Sequence, residues 1–118
     1  MTCLAVGAAI LALTTPEFQL GWTHSVEHSG WQEEWRVTAA GLSLDTARVR
    51  GSGAGMEPGP GARLKDGWWE WQSDLVVPSL ILAASGATDG GWTLCDTSGA
   101  CRDLGAEAAG PILIKPCD

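Results

Sequence analysis

Basic side chains are scarce in this chain. Seven Lys and Arg stand against fourteen Asp and Glu in 118 residues, a formal net charge of −7. Binding to nucleic acid phosphates needs a basic patch, and the nearest thing to one, Arg48 with Arg50, is too small. An acidic surface favours solubility and repels anionic lipid headgroups. No stretch carries a convincing helical stripe; the best, Leu104 to Ala109, is short and interrupted by Gly105. No apolar run is long enough to span a bilayer. The first thirteen residues are apolar apart from Thr2, but they lack the basic start of a signal peptide. Gly7 and the Thr14-Thr15-Pro16 break predict two short strands there, with an export or membrane-contact segment as the alternative.

Familiar catalytic motifs are missing too. There is no Gly-x-Ser-x-Gly elbow, and no cysteine in a nucleophile-like setting. Gly51-Ser-Gly-Ala-Gly55 lacks the Lys-Ser/Thr of a phosphate loop, although its N–H groups could form a small anion nest. His24-Ser-Val-Glu-His28 fits an inverted zinc-peptidase pattern in letters only. That pattern works on a helix, and this stretch alternates as a strand. No metal site, no cofactor and no catalytic residue is therefore assigned.

What the chain does have is tryptophan, seven of them beside one Phe and no Tyr. They either build a small β core or line a ligand cleft. Phe18, Leu20, Trp22, His24 and Val26 alternate with polar or small residues, and so do Trp31, Glu33, Trp35 and Val37 after a turn at His28-Ser29-Gly30. Period-two alternation predicts two half-buried strands. Folding about that turn sets Val26 against Trp31, His24 against Glu33 and Trp22 against Trp35. One face is then indole-walled, with an imidazole and a carboxylate in contact. His24 is either an acid/base or anion-binding group, or a buried histidine satisfied by its neighbour.

Gly, Pro and Ser cut the remainder into short pieces, the mark of a small all-β domain. Ten strands are expected: about 3–6, 10–14, 18–26, 31–39, 42–50, 68–72, 80–84, 92–95, 101–104 and 112–115. An irregularity is expected near Thr46, and turns at Ala40-Gly41 and Asp66-Gly67. The glycine- and proline-rich loop from Gly51 to Gly61 is the longest irregular stretch, and Ser52, Met56 and Glu57 on it could reach a neighbouring site. Leu75-Val-Val-Pro78 is a candidate exposed apolar patch.

Four cysteines allow three pairings. Cys95 and Cys101 flank a Ser-Gly turn, and Cys3 with Cys117 could tie the termini, so the pairing 95–101 with 3–117 is favoured. Cysteine spacing does not suit zinc, and in a cytosolic protein all four would be plain thiols.

The blocks Trp22-Thr-His-Ser-Val-Glu27, Trp31-Gln-Glu-Glu-Trp-Arg36, Gly51-Ser-Gly-Ala-Gly-Met-Glu-Pro58, Asp66-Gly-Trp68 and Trp92-Thr-Leu-Cys95 stand in this order in the chain. In them it resembles the domain-of-unknown-function 1850 family of small bacterial proteins. That resemblance carries no assigned activity. It implies gene neighbourhood with TRAP-type transporters of the TAXI class, and hence an accessory role beside a permease or a solute-binding protein. His24, Ser25, Glu27 and the loop 51–58 match the family blocks.

The sequence thus predicts one all-β domain over 1–118, a small sandwich or partly closed barrel of about eight to ten short antiparallel strands. The expected function is a non-enzymatic accessory or binding module, with a small hydrolase or isomerase using His24 as the alternative. The candidate binding set is Trp22, His24, Ser25, Glu27, Trp31, Glu33, Trp35, Ser52, Met56 and Glu57. An extracytoplasmic or membrane-associated location is slightly favoured over a cytoplasmic one. Oligomeric state is left open.

Overall fold

The computed structural model describes residues 2–24, 29–50, 61–82, 92–104 and 111–117. Among these, every regular element is a strand, and the strands form two antiparallel sheets packed as a sandwich, not a closed barrel.

The smaller sheet contains β1 (Thr2–Val6), β2 (Ala9–Leu13), β9 (Leu80–Leu82) and β12 (Ile112–Pro116), in the order β2-β1-β12-β9. The larger contains β3 (Glu17–His24), β4 (Ser29–Thr38), β5 (Gly41–Arg50), β6 (Arg63–Lys65), β7 (Trp68–Gln72), β10 (Trp92–Asp96) and β11 (Cys101–Leu104). Its order is β11-β10-β3-β4-β5-β7-β6, and β8 (Val76–Val77) pairs beside the start of β5. All ten expected strands are present. The first apolar segment folds as the β1–β2 hairpin, turning at Gly7 with φ 58°.

Alternation decides the two faces of the large sheet. Phe18 and Leu20 of β3, Trp35 of β4, Leu42 and Leu44 of β5 and Leu94 of β10 point inward. They meet Leu4, Val6, Leu13, Leu82 and Ile114 of the small sheet in one buried cluster. Burying such side chains contributes about 1.5–3 kcal/mol each. On the outward face Arg48 reaches Glu70 at 3.3 Å and Glu34 at 3.5 Å, a half-buried ladder at the sheet surface, where a pair contributes about 1 kcal/mol or less.

The inward set of β5 changes parity midway, from Leu42 and Leu44 to Ala47 and Val49. A β-bulge causes this: Glu34 pairs Thr46 while Trp35 pairs Leu44, so Asp45 is extra. Arg36 holds the extra residue's carboxylate at 2.7 Å. At the same place β5 changes partner, from β8 along Leu42–Ser43 to β7 along Thr46–Arg50.

Two strands are additions to the sequence reading. β6 is short, charged and exposed, so it shows no alternation, but it is the necessary partner of Trp68 across the Asp66-Gly67 turn. Both turn residues have positive φ, 53° and 86°, as a two-residue hairpin requires. β8 lies within the segment read as an apolar patch, and Leu75 and Val76 are exposed there.

Candidate binding face

One end of the large sheet gathers the indoles. At that end β3 finishes, β4 begins, β5 finishes, and β7 and β10 begin. Trp22 pairs directly with Trp31, and Trp31 with Val49, which in turn faces Trp69. One step inward, Leu20 pairs with Glu33, Glu33 with Ala47, and Ala47 with Trp71. All these positions share the inward side of the sheet.

The indoles sit in edge-on pairs. Trp22 meets Trp92 with ring centroids 6.2 Å apart and planes at 71°, and Trp31 meets Trp71 at 5.9 Å and 78°. Such a pair contributes about 1 kcal/mol beyond the area it buries. The core cluster reaches Trp71 and Trp92 but not Trp22, Trp31 or Trp69. Trp22, Trp31, Trp71 and Trp92 are only half-buried, and Trp69 is 38% exposed. Trp35 behaves differently: it is 2% exposed and belongs to the core.

The expected His24–Glu33 contact is absent, because the hairpin pairs in another register. His24 stands across from Ser29, Trp22 across from Trp31, Leu20 across from Glu33 and Phe18 across from Trp35. His24 and Glu33 are thereby separated by roughly 13 Å along the strands, at about 3.3 Å per residue. A slip by an even number of residues preserves every inward and outward assignment, so alternation cannot detect it. The register shows instead at the strand ends: β3 ends at His24, and β4 starts at Ser29, its direct partner. Glu33 has a different partner: the half-buried carboxylate accepts a hydrogen bond from Trp35 Nε1 at 3.1 Å. It therefore orients an indole and is not the acid of a histidine couple.

Of the candidate residues, Trp22 and Trp31 come together, Glu33 lies one pair further in, and Trp35 is withdrawn into the core. Ser25, Glu27, Ser52, Met56 and Glu57 lie outside the described residues. Trp69, Trp71 and Trp92 join the face without having been singled out. The signal for two of them was present, since Trp69 and Trp71 are two apart in a strand and must share a side.

The opposite side of the same sheet end is built by Trp68. Its ring lies under Arg50, with the guanidinium carbon 4.8 Å from the ring centroid, a cation–π contact. The indole also crosses Gly30, where a Cβ would fall 2.8 Å from Trp68 Cη2. Glycine at position 30 is what lets the ring lie flat there.

Cys95 and Cys101 face each other across the β10–β11 hairpin and are joined, with Cα atoms 4.1 Å apart. Cys3 and Cys117 are joined as well, with Cα atoms 5.4 Å apart. Among the described residues no group of three His, Cys, Asp or Glu could hold a metal ion.

No curated protein and no solved structure matches this chain. A family model does match, over residues 18–104, which takes in the indole-bearing sheet from Phe18 of β3 to the end of β11. The chain belongs to the family described as a domain of unknown function, DUF1850.

Proposed function

We propose that this chain is a non-enzymatic binding module, an accessory to a TRAP-type transporter of the TAXI class, and that it makes contact through the indole end of its large sheet. The observation that carries the reading is the set of half-exposed indoles, Trp22, Trp31, Trp69, Trp71 and Trp92, on the inward side of a sheet. Inward residues of a sandwich are ordinarily sealed by the facing layer, and apolar area left open in this way marks an interaction site. Tryptophan is the side chain most enriched at energetic hot spots, because it carries large area on few rotatable bonds. Edge-on packing between the rings holds that area in place before a partner arrives. The transporter partner comes from the family resemblance, whose members are commonly encoded beside such permeases and their solute-binding proteins.

Co-purification from native membranes tests this reading. The tagged chain is expected to retain the neighbouring permease or solute-binding protein. Trp31→Ala, with its strand content unchanged by circular dichroism, is expected to retain at least about tenfold less, the scale of a lost hot spot. Failure of the wild-type chain to retain either protein, or equal retention by the variant, would overturn the reading.

A further inference from the structure

The structure assigns a second contact surface, the free edge of β2 with the groove beside it, and its occupant is an extended segment of a partner protein bearing a carboxylate. This surface lies apart from the indole face, and either can be lost without the other.

Among the described residues, backbone hydrogen bonding leaves this edge open. Gly7 N–H donates to Leu113 O at 2.8 Å, and Cys117 N–H donates to Cys3 O at 3.2 Å. Residues 3, 5 and 7 thus serve β12, which leaves Thr2, Leu4 and Val6 to bond Leu13, Leu11 and Ala9 of β2. The N–H and C=O groups of Ile10 and Ala12 therefore point away from β1. Among the described residues no strand lies beyond β2. The strand reads Ala-Ile-Leu-Ala-Leu, so it carries none of the charge, proline or bulge that commonly blunts an edge. Ile10 is 67% exposed.

Below this edge runs a groove of about 310 Å³, walled by Ile10 to Leu13 on one side and by Leu94, Asp96, Ala100, Cys101 and Arg102 on the other; the Asp96 carboxylate is taken up by Thr14, Ser98 and Ala100, which leaves Arg102 as the charged group open to a ligand. Arg102 pairs with Leu94, which is a core residue, so Arg102 occupies an inward-facing position of β11. It is nonetheless exposed, and no ion pair with another described residue holds it. A strand added to β2 would bond Ile10 and Ala12 and turn alternate side chains into the groove. Apolar side chains suit Leu11, Leu13 and Leu94, and a carboxylate suits Arg102. A second copy of β2 would bring no acid, which is why the charge favours a different partner.

The probe is a fluorescein-labelled seven-residue peptide of alternating valine and threonine with one valine replaced by aspartate, made with the aspartate near either end. The control carries lysine instead. Fluorescence anisotropy is expected to show one aspartate peptide saturating below about 1 mM, with the lysine peptide about tenfold weaker, as expected for a like-charge contact. Arg102→Glu is expected to reverse that preference. Ala12→Pro removes an outward N–H that the fold does not use, so strand content by circular dichroism stays unchanged while both peptides weaken about tenfold or more. No saturation by the aspartate peptides, or binding that neither variant alters, would overturn the proposal. A wild-type dimer that Ala12→Pro makes monomeric in sedimentation would overturn it too, by giving the edge to a second copy. Co-purification with the transporter proteins reads the indole face separately through Trp31→Ala.

Discussion

Gly41 shows how one missing side chain fixes a local path. Its φ is 130°, and a Cβ built on it would fall 2.3 Å from Val77 O and 2.9 Å from Pro78 Cα. Both neighbours are backbone, so nothing can rotate away. Gly41→Ala is expected to lower stability by about 3 kcal/mol, measured as a drop in urea midpoint. Gly30 differs, because its close neighbour is the rim of an indole. Gly30→Ala is expected to turn Trp68 off Arg50 at a cost of about 1 kcal/mol, the worth of an exposed cation–π contact plus minor repacking. Near-ultraviolet circular dichroism reads that loss of indole order. Neither glycine's role was legible from the sequence. Ala40-Gly41 reads as a turn, but the carbonyl that excludes a side chain comes from β8, thirty-odd residues away.

At the scale of the element, the turn of the β10–β11 hairpin, already closed by Cys95–Cys101, gathers on one carboxylate. Asp96 accepts hydrogen bonds from the Ser98 hydroxyl, from Ser98 N–H at 2.9 Å, from Ala100 N–H at 3.3 Å and from the Thr14 hydroxyl at 3.3 Å. The Ser98 hydroxyl, first among these, holds the Asp96 pKa below its ordinary 3.8. A carboxyl whose pKa is lower folded than unfolded stabilises the fold above the unfolded value and ceases to do so as pH falls through the folded one. NMR titration is expected to place the Asp96 midpoint below 3.8, and Ser98→Ala to raise it. The protection of the Ala100 amide against exchange, after correction for the intrinsic pH dependence, is expected to fall only as pH drops towards that midpoint.

Elements were the most legible level. Strong alternation located β3, β4 and β5, and the parity change between Leu44 and Ala47 pointed to the bulge beside Thr46. Register was the part that period-two patterning could not supply. It shows in the pairing of His24 with Ser29 and of Trp22 with Trp31, which leaves no mark on alternation. The candidate site moved with it, from a His–Glu couple to paired indoles.

At the scale of the whole molecule, two cross-links act over very different spans. Cys3–Cys117 closes a separation of 114 residues, and Cys95–Cys101 one of 6. Loop-closure entropy puts their contributions at about 5 and about 2 kcal/mol. Replacing Cys3 and Cys117 by serine is expected to lower the urea midpoint more than the same change at Cys95 and Cys101; the reverse order would show that the hairpin needs its cross-link to form.

The proposed contact face is read most directly by the indole N–H signals of the seven tryptophans in a nitrogen–proton correlation spectrum. Titration with the detergent-solubilised permease and its solute-binding protein is expected to shift or broaden the signals of Trp22, Trp31, Trp69, Trp71 and Trp92 first, and to leave that of Trp35 in place. Unchanged signals from those five at saturating partner, or changes confined to residues away from them, would contradict the account.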